Sequence, residues 1–266
     1  TVKDAQSEED YRAQLGEALL CRAFSMFQLS TVFCQAYDKT TAAKELGLPY
    51  PTEPEKVVGR LIERGTLAEL YQKIEADMLK GISLVGTKYA KPKFHFTKQA
   101  AYAFATRFYL YAQQYDKALT GFQKVQSDYS STDAGNLANL YVALCYAHQA
   151  KPDWTKALEN AEKFDTSDDE MISPASQMAL GDIYANTNQL DKAVDCFKKA
   201  ADMANAQAED NINLTIAPLA LRKAGILLES QGKKAEALDI YKNIKKTYVN
   251  SPIFQDIDKY IERASN

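Results

Sequence analysis

The chain has 266 residues and a formal net charge of −3, and 46% of its residues are hydrophobic and 25% charged. This composition is typical of a folded protein with a hydrophobic core and excludes global disorder. Because basic residues are not in excess, we expect no nucleic-acid partner. No apolar run in the sequence approaches the roughly 18 residues that cross a bilayer, so we expect a soluble chain without a membrane span.

The first hundred residues predict long helices separated by a loop. One amphipathic stretch covers 7–37, and a loop containing LGLPYPTEPE follows near 38–56. The prolines of this loop fix the backbone and remove hydrogen-bond donors, so it cannot be helical throughout. Residues 66–85 carry apolar positions at helical spacing behind Thr66, which we expect to cap the helix, and another helix is expected to begin near Thr97.

An internal repeat organises the rest of the chain. It is anchored on an alanine in the second helix of each unit, at Ala118, Ala157, Ala193 and Ala237. The residue twelve positions before each anchor is small, namely Thr106, Cys145, Gly181 and Gly225. The residue four positions after each anchor is mostly aromatic, namely Phe122, Ala161, Phe197 and Tyr241. Small residues let two helices approach closely and the aromatic ring fills the gap, so this pattern predicts packed helix pairs.

The pattern resembles the tetratricopeptide repeat. The best copy covers 174–205, and its matching residues are Leu180, Gly181, Tyr184, Ala193, Phe197 and Ala200. The copy around Ala237 is looser, and those around Ala118 and Ala157 are weaker still. The resemblance implies an all-α fold, a tetratricopeptide-like antiparallel helix-pair solenoid that forms a right-handed superhelix of about 10–12 helices.

The N-terminal part resembles a different family. The resemblance rests on ALLCRAFSMFQL at 18–29, GLPYPTEPE at 47–55, TLAELYQKIEADM at 66–78 and TKQAAYAFATRFYLYAQQYDKAL at 97–119. These segments are similar to the helical half of the outer-membrane nutrient-binding proteins typified by SusD of gut Bacteroidetes. The resemblance implies an exported, lipid-anchored protein that binds glycans beside a transporter, in the bacterial periplasm or at the outer-membrane surface.

The two resemblances divide the chain into a SusD-like helical segment at 1–118 and tetratricopeptide repeats at 119–266. We expect the two parts to pack as one continuous solenoid. Because the resemblance changes near 116–126, where both families have a helix–turn–helix, we interpret the chain as an engineered chimera of two Bacteroidetes proteins. A natural truncated paralogue is the alternative.

The sequence has few residues from which a catalytic site could be built. His95 and His148 are its only histidines. Too few histidines are therefore present to favour a histidine metal site or a Ser-His-Asp triad. No glycine-rich phosphate loop occurs. We therefore expect no catalytic site, no cofactor and no metal ion, and a protein that is not an enzyme.

Several other features have structural interpretations. We expect the acidic run at 165–170 to cap a helix, Ser173-Pro174 to begin one, and Trp154 to cover a hydrophobic seam. Buried free thiols are expected at Cys21, Cys34, Cys145 and Cys196. One set of aromatic residues could stack on sugars, although its helical spacing favours two core stripes. This set comprises Phe94, Phe96, Tyr102, Phe104, Phe108, Tyr109 and Tyr111.

These observations favour a non-enzymatic scaffold or protein-interaction module. A peptide or protein would lie in a concave groove lined by the first helices of successive repeats. The candidate groove residues are Asn139, Tyr146, Gln177, Asp182, Asn186, Arg222 and Lys223. A glycan-binding nutrient-uptake component is the alternative. It is disfavoured because the portion that supplies most of the family's sugar site is missing.

Overall fold

The structure, a computed structural model, describes residues 8–54, 61–86, 89 and 91–265. The regular elements of these residues are eleven α-helices, three short 3₁₀ turns and an isolated bridge between Leu46 and Thr66. The helices are α1 (Glu8–Phe33), α2 (Leu67–Leu84), α3 (Lys98–Tyr111), α4 (Tyr115–Asp128), α5 (Asp133–His148), α6 (Trp154–Ala161), α7 (Ile172–Asn186), α8 (Leu190–Ala206), α9 (Ile216–Ser230), α10 (Lys234–Thr247) and α11 (Ile257–Ser265). The predicted all-α fold is therefore confirmed. Residue 7 of the predicted first helix and residues 55 and 56 of the predicted loop lie outside the described residues.

The chain divides into two compact units, Thr1–Gly121 and Phe122–Asn266. The division falls inside α4, three residues beyond the boundary expected from the sequence. The packing of the two parts into one continuous right-handed superhelix remains a prediction.

Unit 1 is built on a close crossing of α1 and α2. A Cβ added to Gly81 would lie 2.7 Å from Leu20 Cγ and 2.9 Å from the carbonyl oxygen of Gly16. The two backbones therefore approach more closely than any larger residue would permit. The core beside this crossing contains Phe27, Leu70, Ile74, Met78, Phe104 and Phe108.

A polar network fixes the loop before α2. Arg22 donates from Nε to Asp77 Oδ2 at 2.6 Å and from a terminal nitrogen to Oδ1 at 2.9 Å. The Tyr50 hydroxyl, which comes from the loop, donates to the same carboxylate at 2.6 Å. Thr66 and Glu69 form a reciprocal capping box at the start of α2, so the predicted threonine cap is confirmed.

Unit 2 shows the predicted packing of glycines against aromatic rings. A Cβ on Gly181 would lie 2.7 Å from Phe197 Cε1, and one on Gly225 would clash with the ring of Tyr241. The anchors Ala157, Ala193 and Ala237 are fully buried. The rings of Phe197 and Tyr241 therefore occupy the space that Gly181 and Gly225 leave free.

The turns inside three helix pairs share one backbone geometry. The residue five positions before the anchor alanine has a positive φ, which is 56° at Gln113, 59° at Asn188 and 77° at Gly232. The next N–H donates to a carbonyl five residues back, in the pairs Gln114 to Tyr109, Gln189 to Tyr184 and Lys233 to Leu228. This is the Schellman arrangement, which satisfies the last carbonyl groups of the first helix.

The predicted start of α7 at Ser173-Pro174 is wrong by two residues. The helix begins at Ile172 because Asp169 Oδ1 accepts backbone N–H groups of Met171 at 3.0 Å, Ile172, and Ser173 at 3.1 Å. These hydrogen bonds outweigh the effect of partial burial and lower the pKa of Asp169 to about 2. The expectation that the acidic run caps a helix is thereby confirmed.

The expectation of four buried thiols is wrong. All four cysteines are free, but only Cys145 is buried, while Cys34 and Cys196 are half-buried and Cys21 is exposed. The buried residues of α1 include Leu20 and Ala23. Cys21 directly follows Leu20, and one residue along an α-helix turns the side chain by about 100°, away from the buried side on which Leu20 lies.

Candidate functional site

The helices α5, α7 and α9 are the first helices of the pairs in unit 2, and they carry all the candidate groove residues. The clearest link between them is an ion pair. Lys223 Nζ of α9 donates to the two carboxylate oxygens of Asp182 of α7, at 2.7 and 2.5 Å. It also lies 5.5 Å from the ring centroid of Phe197. Both charged side chains remain partly exposed, so the pair contributes little to stability and leaves the surface accessible.

Arg222 lies beside this ion pair and faces a different neighbour. Its guanidinium carbon is 5.9 Å from the ring centroid of Tyr260 in α11. Its Nε is buried and has no hydrogen-bond partner among the described residues. Asn186, one turn beyond Asp182, is exposed and donates only to the Asp182 carbonyl oxygen, at 2.8 Å. The apolar Ile226, 39% exposed, lies one turn after Arg222.

We name the surface formed by Asp182, Asn186, Arg222, Lys223 and Ile226 the α7/α9 face. It combines two cations, one carboxylate, one amide and an exposed apolar side chain. Within this set Arg222 and Lys223 are basic and Asp182 is acidic, and outside it Asp256 also interacts electrostatically with Arg222. Of the predicted groove residues, the structure brings Asp182 into contact with Lys223 and Asn186, whereas Arg222 contacts Tyr260.

Asn139 and Tyr146 of α5 are held by internal hydrogen bonds. Gln126 Nε2 donates to Asn139 Oδ1 at 2.6 Å and to Asn160 Oδ1 at 2.8 Å. Gln123 donates to the Tyr146 hydroxyl at 2.9 Å. Asn139 therefore belongs to an amide network that joins α4, α5 and α6. Gln126 and Asn160 do not follow a periodic pattern that would have identified them, because the network joins residues far apart in the chain.

Gln177 lies on another side of α7. It is 7% exposed and lines a cleft with residues of α6 and α8. Five helical positions separate it from Asp182, which places the two side chains about 140° apart around the helix axis. The predicted groove residues therefore do not form a single surface.

The two histidines occupy different surroundings. His95 Nδ1 lies 3.0 Å from Glu17 Oε2, and its ring stacks on Tyr89 with a centroid distance of 4.5 Å. His148 is exposed at the end of α5. No group of three or more His, Cys, Asp or Glu residues that could hold a metal ion occurs in the described part of the chain. Across the same residues, no helix is long and apolar enough to cross a membrane.

The aromatic stretch of unit 1 is only partly a core feature. Phe104, Phe108 and Tyr109 are buried, as the predicted core stripes require. Tyr102 and Tyr111 are 45% and 46% exposed, but nine residues place them on opposite sides of α3. The exposed rings of α3 therefore do not form a single platform for stacking on a sugar.

The helix pairs, the glycine–aromatic contacts and the repeated turns define a tetratricopeptide-like helical repeat fold. Residues 219–251 match a family model described as tetratricopeptide repeat. This match covers the copy around Ala237, whereas the sequence pattern ranked the copy at 174–205 first. Residues 1–110 match a SusD-like model described as starch-binding, associating with the outer membrane. The two family resemblances inferred from the sequence are thus confirmed for different parts of the chain.

Solved structures provide a further comparison of the fold. A kinesin light chain with tetratricopeptide-like repeats from Podosopora anserina is 15% identical, with a TM-score of 0.50 over 62% of this chain and 83% of that one. A SusD superfamily protein from Bacteroides thetaiotaomicron VPI-5482 is 18% identical, with a TM-score of 0.40 over 98% of this chain and 66% of that one. Comparison with curated protein sequences found no match. The first likeness supports a helical repeat fold.

Proposed function

We propose that unit 2 is a protein-interaction module that binds an extended peptide segment on the α7/α9 face. The observation that carries this proposal is Arg222, whose Nε is buried without a hydrogen-bond partner among the described residues and whose guanidinium lies over the ring of Tyr260. Its contact with Tyr260 limits its freedom. An oriented guanidinium with unused donors suits a carboxylate, which it can bind through two parallel hydrogen bonds.

The chemistry of the expected partner follows from the neighbouring side chains. Lys223 adds a second positive charge, which is largely balanced by Asp182 at 2.5 Å. Ile226 offers an apolar contact one turn from Arg222. Successive first helices of repeat proteins present such residues along extended binding surfaces. The expected partner is a peptide in which an acidic residue lies close to an apolar one.

A peptide titration tests this proposal. Capped decapeptides that pair glutamate with leucine would be titrated calorimetrically into the full chain, beside peptides with glutamine in place of glutamate. Arg222→Gln should weaken binding of the glutamate peptide by about tenfold, since a charge-assisted hydrogen bond contributes about 1.5–3 kcal/mol. Lys242→Gln, which removes an exposed charge from α10, is the matched control. Equal affinity of both variants, or no preference for glutamate, would contradict the proposal.

Glycan binding by unit 1 is the second candidate function, because residues 1–110 match the starch-binding family model. Phe94, Tyr102 and Tyr111 supply exposed rings. Titration with starch-type oligosaccharides would show selective binding that Tyr102→Ala abolishes. Tyr129→Ala, which removes a similarly exposed ring from unit 2, should leave that binding unchanged. Absence of selective binding would count against this candidate.

The origin and location of the chain remain proposals. The two family matches cover different parts of the chain, which supports a chimera of two proteins. The outer-membrane description of the first family supports a periplasmic or outer-membrane location for proteins that carry the N-terminal segment. A natural gene that aligns without interruption over all 266 residues would contradict the chimera and favour the truncated paralogue.

A further inference from the structure

A second site in unit 2 lies between α6 and α8. The cavity has a volume of about 440 Å³, within the roughly 300–1,000 Å³ typical of ligand pockets. We name it the α6–α8 cleft. Its floor is formed by Gln177, Leu180 and Tyr184 of α7. It is open because α6 has 8 residues and α8 has 17, so α6 ends at Ala161 before it covers this part of α7.

The floor of the α6–α8 cleft contains the side-chain amide of Gln177. Gln177 is 7% exposed, and its side chain makes no hydrogen bond to any residue in the described part of the chain. The amide atoms are not among the buried side-chain atoms that lack a partner, so they face the open cleft rather than the protein interior. Gln177 offers one acceptor and two donors to whatever enters the cleft.

The wall of the α6–α8 cleft is fixed before any ligand binds. Asn136 Nδ2 donates to the Asp165 carbonyl oxygen at 2.8 Å, and Asn136 Oδ1 accepts the Asp165 N–H at 2.8 Å. Asn139 donates to the Lys163 carbonyl oxygen at 3.3 Å. The segment between α6 and α7 is therefore held in place, which reduces the ordering cost of binding.

The lining of the α6–α8 cleft favours a cation with an apolar stem. The residues that line it include the acidic Glu162, Asp165 and Asp195 and the basic Lys199, and Lys192 Nζ lies 5.1 Å from the ring centroid of Tyr184. The Tyr184 hydroxyl donates to Glu162 Oε1 at 2.6 Å, which orients that carboxylate. The apolar lining is Ala161, Phe164 and Leu180. A long basic side chain can place its stem against apolar surface and its charged end among carboxylates.

We propose that the α6–α8 cleft binds a lysine or arginine side chain of an extended peptide, while Gln177 pairs with the peptide backbone beside it. Asn136 shows the same pairing of a side-chain amide with the backbone within unit 2, because its amide binds both the N–H and the carbonyl oxygen of Asp165. The site is independent of the α7/α9 face, since Gln177 and Asp182 lie on different sides of α7. Failure of one proposal would leave the other standing.

The half-buried Cys196, which also lines the α6–α8 cleft, gives a direct measurement. Burial raises the pKa of its thiol, so alkylation is slow enough to time. The full chain would be treated with iodoacetamide, and modification of Cys196 followed by peptide mass spectrometry. Three capped hexapeptides would be added in separate reactions, identical except for a central lysine, norleucine or glutamate. The lysine peptide should slow alkylation about threefold at twice its dissociation constant, and the other two should not.

Two variants test the roles of the amide and the carboxylates. Gln177→Met keeps the side-chain volume and removes the amide, so it should abolish protection by the lysine peptide without lowering the urea midpoint of unit 2. Gln255→Met, at an exposed glutamine, is the matched control. Glu162→Gln combined with Asp195→Asn should remove the preference for lysine over norleucine. No protection by the lysine peptide, equal protection by all three peptides, or undiminished protection in Gln177→Met would overturn the proposal.

Discussion

Replacing Gly181 by alanine has two opposite effects on the stability of unit 2, a gain in helix propensity and a loss from overpacking against Phe197. Alanine favours a helix interior over glycine by about 1 kcal/mol. The added methyl group would lie 2.7 Å from Phe197 Cε1 and 2.9 Å from Cδ1, and the ring is only 1% exposed. Overpacking of a buried site costs about 1–3 kcal/mol, and contacts this short belong at the upper end. We expect the free energy of unfolding of unit 2 to fall by about 2 kcal/mol.

The fluorescence of Trp154 provides the assay. It is the only tryptophan of the chain, and it packs against the buried cluster around Ala157, so urea titration of its emission reports on unit 2. Ala175→Gly, at an exposed position of α7, measures helix propensity alone and should cost about 1 kcal/mol. Adding Phe197→Leu to Gly181→Ala should recover about 1 kcal/mol of the expected loss, because the two sites are coupled. Stabilisation by Gly181→Ala would refute the packing argument.

Further predictions concern the turns, a helix cap and the polar network of unit 1. Gln113→Gly and Asn188→Gly should each raise the free energy of unfolding by about 0.5–1 kcal/mol in urea titrations, because glycine accepts a positive φ without strain. Gly232→Ala, at φ 77°, should lower it by about 1 kcal/mol, and no difference between the three sites would contradict this reasoning. Asp169→Ala should cost about 1 kcal/mol at neutral pH; because the folded pKa is depressed from 3.8 to about 2, this difference should be constant above about pH 4 and vanish as the pH falls towards 2. Asp77→Ala removes the carboxylate that accepts hydrogen bonds from Arg22 and Tyr50, and it should lower the free energy of unfolding of unit 1 by about 2 kcal/mol. The measurement is amide hydrogen exchange in α2, which should become faster. Unchanged exchange would show that the network is dispensable.

Local signals predicted the helix pairs well. Gly181 and Gly225 identify close contacts because a small residue and an aromatic ring recur at fixed spacing within one helix pair. Thr66 identifies a helix start because its capping box involves only the next three residues. Ser173-Pro174 failed as a helix start because the nearby carboxylate of Asp169 accepts several backbone N–H groups and extends the helix backwards.

Contacts between distant residues could not be predicted from the sequence. The bonds of Asp77 with Arg22 and Tyr50 depend on how α1, α2 and the loop come together. In the candidate site, too, the helix that carries each residue was predictable, whereas the contacts between distant residues were not. The sequence correctly assigned Asp182 and Gln177 to a first helix, but only the packed neighbours separate the α7/α9 face from the α6–α8 cleft.

The short helix α6 has a consequence for how repeat proteins of this kind diversify. Room for a ligand arises where one helix ends early, while the glycine–aromatic contacts of the neighbouring pairs remain intact. Insertion of about four residues, one helical turn, at the end of α6 would fill that room without altering those contacts. Insertions and deletions at helix ends could thus open or close binding sites while the repeat framework is retained. Changes of length, as well as substitutions, would then be a source of new specificity.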